Sequence, residues 1–247
     1  MTEGPMQAAQ RLMRPDLPKR FYKSAEAARQ GEGFTVLLDG RPVRTPAKTQ
    51  LNVPWEALAL ALTEEWNAQA EIIDPAKMPL TRLVNSALDG VAREADAVRA
   101  EIVKYTGSDL LCYRAEAPER LVARQSAAWD PVLAWSRDKL GADFTQAQGI
   151  IFVEQPEESL AAVDATLEGL DIFRLAALSA VTTLTGSALL AIALLHGRLS
   201  AEEAWAAAHV DEDWNVELWG TDDEARDRRA RRYEEMAAAA RLIALAA

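Results

Sequence analysis

The stretch "LAALSAVTTLTGSALLAIALL", residues 175 to 195, holds 21 residues without a charged side chain. A run of that length either crosses about 30 Å of hydrocarbon as one helix or has to be wrapped by the rest of the chain. Gly186 and Ser187 decide for burial, because glycine ends one helix in a left-handed turn and serine caps the start of the next. No aromatic belt and no basic flank frames the run, as they frame membrane spans. Two short core helices are therefore expected, with no membrane insertion. A chain of 247 residues is long enough to cover such a core with amphipathic neighbours.

The first third reads differently. In "FTVLLDGRPVRTP", residues 34 to 46, Asp39-Gly40 separates two β-prone runs and predicts a hairpin. Prolines at 42, 46 and 54 keep that sheet small, and "RFYKSAEAARQGEG" before it can supply one more strand. After Pro54 the period changes: Trp55, Leu58, Leu62 and Trp66 fall on one helical face. "EIIDPAKMPL", residues 71 to 80, breaks that helix with two prolines and forms a linker. Beyond it nearly everything is helical: 80–105; 119–140, broken at Asp130-Pro131 as a cap and first turn; then 156–169, 171–184, 187–196, 200–214 and 222–245. "FTQAQGIIFVEQP" is the one extended interruption. Charge divides at the same place, since residues 1–78 carry 10 bases and 10 acids whereas residues 79–247 carry 17 and 28. The expected fold class is α+β: a small β-rich N-terminal domain, 1–78, followed by a larger all-helical C-terminal domain, 79–247. Residues 1–19, with no signal-peptide core, are expected to form a mobile arm.

A net charge of −11 repels phosphate backbones, so nucleic acid is not the expected partner. The chain has no phosphate loop and no G-x-S-x-G elbow, and only His196 and His209 exist to serve as bases. No nucleotide or other cofactor is expected. The single cysteine, Cys112, cannot form an internal disulfide and sits in the apolar "SDLLCYR", which predicts a buried, inert thiol and a reducing, cytoplasmic setting. The most unusual cluster is "HVDEDWNVELWG", residues 209 to 220. On a helix Asp211, Glu212 and Asp213 point about 100° apart, so they cannot converge on one metal ion. His209 and Asp213 share a face, and with remote acids they could form a metal-dependent hydrolase; two ligands alone do not make a zinc site. Trp214 and Trp219 beside exposed acids fit a protein interface, and they fit core anchors equally well. "RDRRARR", residues 226 to 232, reads as a solvated face in which Glu224–Arg228 and Asp227–Arg231 pair at i, i+4.

Three segments carry a resemblance: "EEWNAQAEIID" at 64–74, "SDLLCYRAEAPERLVARQSAAWDPVLAW" at 108–135 and "VDEDWNVELWG" at 210–220. Together, in this order and spacing from about Arg20 to Tyr233, they resemble the F1-ATPase assembly chaperones that bind the alpha subunit of ATP synthase. The resemblance implies a β-rich N-terminal domain joined to a helical one, no need for ATP, and a helical surface that shields the alpha subunit before it meets the beta subunit. It also implies a functionally critical acid before the Trp-Gly, which maps onto Glu212, with Asp211, Asp213, Trp214 and Trp219 around it as partner-binding residues. Aspartates at 211 and 213 stand where relatives have glutamate, and Asn215 where they have glutamine. The absence of an organellar presequence points to a bacterial-type, cytoplasmic member.

Overall fold

The computed structural model describes residues 17–149 and 151–246. Most of the expected mobile arm, residues 1–16, lies outside the described residues. Of the remainder, Pro18 and Lys19 are tied to residues 72 and 73 by backbone pairing.

The chain opens with a three-stranded antiparallel meander: β1 (Ala25–Gln30), β2 (Gly33–Leu38) and β3 (Arg41–Pro42). The register runs from Ala25 opposite Leu38 to Gln30 opposite Gly33. In the second hairpin Leu38 faces Arg41, so Asp39-Gly40 is a two-residue turn, and both residues have positive φ, 46° and 80°. A turn of that hand matches the twist of the strands. Asp39 reinforces it by accepting the Lys23 and Ser24 N–H groups at 3.0 Å. Helix α1 (Glu56–Asn67) lies across this sheet and buries Leu58, Ala59, Ala61 and Leu62.

Asp74 then caps a short 3-10 turn at Pro75–Lys77, and Pro79 opens α2 (Pro79–Ser86). No side chain beside that start supplies a cap. Instead Glu65 of α1 accepts the N–H groups of Leu80 and Thr81 at 2.8 and 2.7 Å and the Thr81 hydroxyl at 2.7 Å. A π turn at Ala87–Val91 leads into α3 (Ala92–Thr106). There follow β4 (Tyr113–Arg114), α4 (Glu119–Trp135), β5 (Ala147–Gln148), α5 (Glu157–Leu167), α6 (Ile172–Thr185), α7 (Ala188–Leu195), α8 (Ala201–Ala208), α9 (Val210–Trp219) and α10 (Asp223–Leu245). β5, inside the extended interruption, pairs in parallel with β4 and is the only strand partner β4 has among the described residues. The class is α+β, a small N-terminal sheet followed by many helices.

The charge-free run is α6 and α7. Gly186 ends α6 at φ 69°, and the Ser187 hydroxyl accepts the Leu190 N–H at 3.0 Å. Asp109, wholly buried, accepts the Leu189 N–H at 3.1 Å and the Leu111 N–H at 3.1 Å, so one remote carboxylate helps start α7. Leu189, Leu190, Ala191, Ile192 and Ala193 are fully buried. Each large aliphatic among them contributes about 1.5–3 kcal/mol. α6 packs against α3, α7 and α10. Among the described residues no helix is long and apolar enough to cross a membrane.

Three expected helices run differently, the first being 80–105, which the π turn at Ala87–Val91 divides into α2 and α3. α4 runs unbroken through Asp130-Pro131. A proline inside a helix costs about 3 kcal/mol. Here the turn is held on both sides, because Trp129, Val132 and Leu133 are buried and Asp130 pairs with Arg114 at 2.8 Å. The helix expected over 200–214 is really two, divided at His209, whose backbone leaves the helical region at φ −115°, ψ 21°.

Candidate functional site

At the break between α8 and α9 the His209 ring is buried in the core. Its centroid lies 3.9 Å from that of Trp205, and Nδ1 meets the Trp205 carbonyl at 2.7 Å. Trp205 in turn packs edge-on against Tyr233 of α10. Burial, the largest influence, holds the His209 proton affinity below the ordinary histidine value; the Trp205 carbonyl and Glu212 oppose it, and Arg229 and Arg232 add to it. Restarting the helix after His209 puts Asp211, Glu212 and Asp213 in the first turn of α9, the end that favours negative charge.

The three acids then part company. Asp211 accepts a hydrogen bond from Gln125 Nε2 at 2.7 Å, and Gln125 Oε1 accepts the Ala115 N–H, which ties α9 to α4 and the loop before it. Asp213 pairs with Arg229 of α10. Glu212 points outward with its side chain 60 % exposed, and its nearest basic group is His209 Nε2 at 3.7 Å. Asp211 and Asp213 therefore fasten the helix at its two sides, while Glu212 remains open to solvent.

The tryptophans divide in the same way. Trp214 is 8 % exposed and lies beneath Arg120 and Arg124, whose guanidinium carbons stand 5.6 and 5.1 Å from its ring. Arg124 is held there by a two-fold bond to Glu217 at 2.7 Å, and that arginine keeps the Glu217 carboxyl below the usual carboxylate range. Trp219 is 83 % exposed at the end of α9, next to Leu218 and near Val216, which are exposed as well. Gly220, at φ 77°, turns the chain there toward α10, whose first turn Asp222 caps by accepting the Ala225 N–H at 2.6 Å.

Between α9 and α10 lies a cleft of about 440 Å³. Glu212, Val216 and Trp219 line one side, and Arg226, Arg228, Arg229 and Arg232 line the other. The expectation of a solvated face holds for most of residues 226–232, which are exposed apart from the half-buried Arg229. Glu224 pairs with Arg228 at 4.0 Å as expected, Asp227 and Arg231 form no ion pair among the described residues, Arg229 turns inward to Asp213, and Arg232, itself exposed, donates to the Leu184 carbonyl. A signal for this was present in the sequence. The buried stripe of α10, Leu242, Ala239 and Met236, continues at helical spacing to Arg232 and Arg229.

The alternative of a metal-dependent hydrolase gains nothing from this geometry. Asp213 is taken by Arg229 and the His209 ring by Trp205, and among the described residues no group of three or more His, Cys, Asp or Glu side chains is arranged to hold a metal ion.

Comparison with known proteins gives a consistent result. A family profile described as ATP12 chaperone protein matches residues 19–137, a span that ends before α9 begins. The crystal structure of Atp12 from Paracoccus denitrificans is 43 % identical, with 93 % of this chain and 99 % of that chain covered and a TM-score of 0.87. The Atu1473 protein of Agrobacterium tumefaciens is 50 % identical over 100 % of this chain and 92 % of that one, with a TM-score of 0.91. Protein atp12, mitochondrial, of Schizosaccharomyces pombe is 24 % identical over 221 residues, which is 85 % of this chain and 76 % of the relative. With the bacterial Atp12 matched along nearly its whole length at such identity, the chain belongs to the ATP12 chaperone family.

Proposed function

We propose that this protein is an ATP-independent chaperone for assembly of the F1 sector of ATP synthase, acting in the cytoplasm. In this reading it binds the free alpha subunit and shields the surface that later meets the beta subunit. The observation that carries the proposal is the separation of roles in α9. Asp211 and Asp213 are spent on holding the helix, whereas Glu212 stands open beside exposed Val216, Leu218 and Trp219. A charged group next to exposed apolar side chains, on a helix anchored by its neighbours, is how a surface for a protein partner is built. Membership of the ATP12 chaperone family supports an assembly role, and the lack of any phosphate loop supports work without ATP.

The test pairs two measurements on Glu212→Lys. Thermal unfolding should shift little, since an exposed substitution usually stays within about 0.5 kcal/mol. Retention of soluble alpha subunit on co-expression should fall sharply, because a reversed charge at a contact costs up to a few kcal/mol. Full retention by a folded Glu212→Lys variant removes Glu212 from the binding surface. If the unsubstituted protein fails to keep alpha subunit soluble, the functional reading itself fails. Removing ATP from the lysate should leave retention unchanged.

A further inference from the structure

We infer that the cleft between α9 and α10 seats an acidic segment of the client that also bears apolar or aromatic side chains; this deepens the chaperone reading and rests on it. Four guanidinium groups line the cleft against two carboxylates, Glu212 and Asp222, in a chain whose net charge is −11. Asp222 is already engaged in capping α10. Of the arginines, Arg226 pairs with Asp223 at 2.9 Å and Arg229 with Asp213. Among the described residues, Arg228 has only Glu224 at 4.0 Å, and Arg232 bonds a carbonyl oxygen and no carboxylate. Arg228 and Arg232 thus present fork-shaped donors that, among the described residues, no carboxylate grips in a close two-fold pair.

The opposite wall, beyond Glu212 and Asn215, offers open apolar surface, with Val216 38 % and Trp219 83 % exposed. Trp219 offers a large flat surface at little entropic cost, as anchoring residues of interfaces do. A volume near 440 Å³ lies within the range of clefts that enclose a ligand-sized group. A basic segment would face the like charges of Arg228 and Arg232, the two arginines without a close carboxylate. A long polyanion such as nucleic acid would meet the repulsion of an acidic protein around a small basic patch.

The experiment uses the full-length protein and three labelled peptides of about twelve residues that share leucine and phenylalanine positions. Their polar positions are glutamate in the first, lysine in the second and serine in the third. Fluorescence anisotropy should show the glutamate peptide binding at least about tenfold more tightly than either isomer, with the preference shrinking as salt rises. Arg228→Glu and Trp219→Ala, both at exposed positions, should each weaken it by about tenfold or more without changing the melting temperature, and Arg232→Gln provides a second, charge-neutralising check. Equal binding of the three peptides, or glutamate-peptide binding indifferent to Arg228→Glu, overturns the inference. A labelled single-stranded oligonucleotide that competes as well as the glutamate peptide also overturns it, by showing a site for phosphate. Glu212→Lys separates this inference from the functional reading, because it should lose alpha subunit while keeping or strengthening the glutamate peptide. A protein that selects that peptide but never retains alpha subunit sinks the client and leaves the cleft. One that retains alpha subunit yet shows no peptide selectivity does the reverse.

Discussion

Single residues in this fold carry their chemistry in opposite ways, and pH separates them. His209 is buried, its proton affinity lowered first by burial, with Glu212 facing its Nε2 from α9 and Arg229 and Arg232 facing it from α10. The unfolded chain then takes the proton more readily. The stability contributed by neutral His209 is complete above the ordinary histidine value near 6.5 and is lost as pH falls below it. Asp109 works the other way: burial raises its carboxyl to about 6 against the bonds it accepts from Ser187, Leu189 and Leu111, so the unfolded chain ionises first and stability falls as pH rises from about 4 through 6. Melting temperatures between pH 5 and 7.5 should therefore lose part of their acid-side decline in His209→Gln, and an unchanged profile would rule the histidine out. Cys112, fully buried with its thiol pushed up to about 12, should resist iodoacetamide in the folded protein and react on denaturation, read by mass spectrometry. That inert thiol was legible in its apolar neighbours. The division between Trp214 and Trp219 was not, because it depends on where the helix restarts. With α9 beginning after His209 the two rings lie about 140° apart on one helix, so one enters the core and the other leaves it.

Among the elements, local chemistry was readable and borrowed chemistry was hidden. Gly186, Ser187, Asp39 and Gly40 act through their own backbone or hydroxyl, and the hairpin and the α6–α7 junction fall where those residues stand. α4 continues through Pro131 on the strength of Trp129, Val132 and the Arg114–Asp130 pair, none of which a local pattern announces. Because Pro131 sits at an exposed interior position, Pro131→Ala should stabilise the protein by about 1–3 kcal/mol in urea unfolding. A loss of stability would instead mean that the proline works as the start of a helix. α2 borrows in the same manner. Glu65→Ala strips both N–H groups and the Thr81 hydroxyl of their acceptor and should cost about 1–2 kcal/mol, whereas Glu64→Ala, which loses only an exposed pair with Arg241, should cost under about 1 kcal/mol.

At the scale of the whole molecule, buried apolar side chains form one cluster from Tyr22 of the sheet region to Leu242 of α10. Contacts pass freely across the charge boundary near residue 78: Trp55 meets Phe173 edge-on, Thr45 donates to Asp89 at 2.6 Å, and Glu65 reaches Leu80 and Thr81. Residues on either side of that boundary should therefore unfold together, with far-ultraviolet dichroism and tryptophan fluorescence tracing one coincident transition; two separated midpoints would show independently stable halves. The charge asymmetry that divides the sequence at residue 78 describes the surface, and the sharing of a core is set by packing that no charge count records. The Glu65 clamp has a further consequence, in time. The first turn of α2 is finished by a side chain that can arrive only once α1 has come alongside, so the clamp closes after both helices exist. A bond made that late restrains escape more than it hastens arrival, and Glu65 is then a latch on the native state: without it the chain should reach its fold about as quickly and leave it sooner.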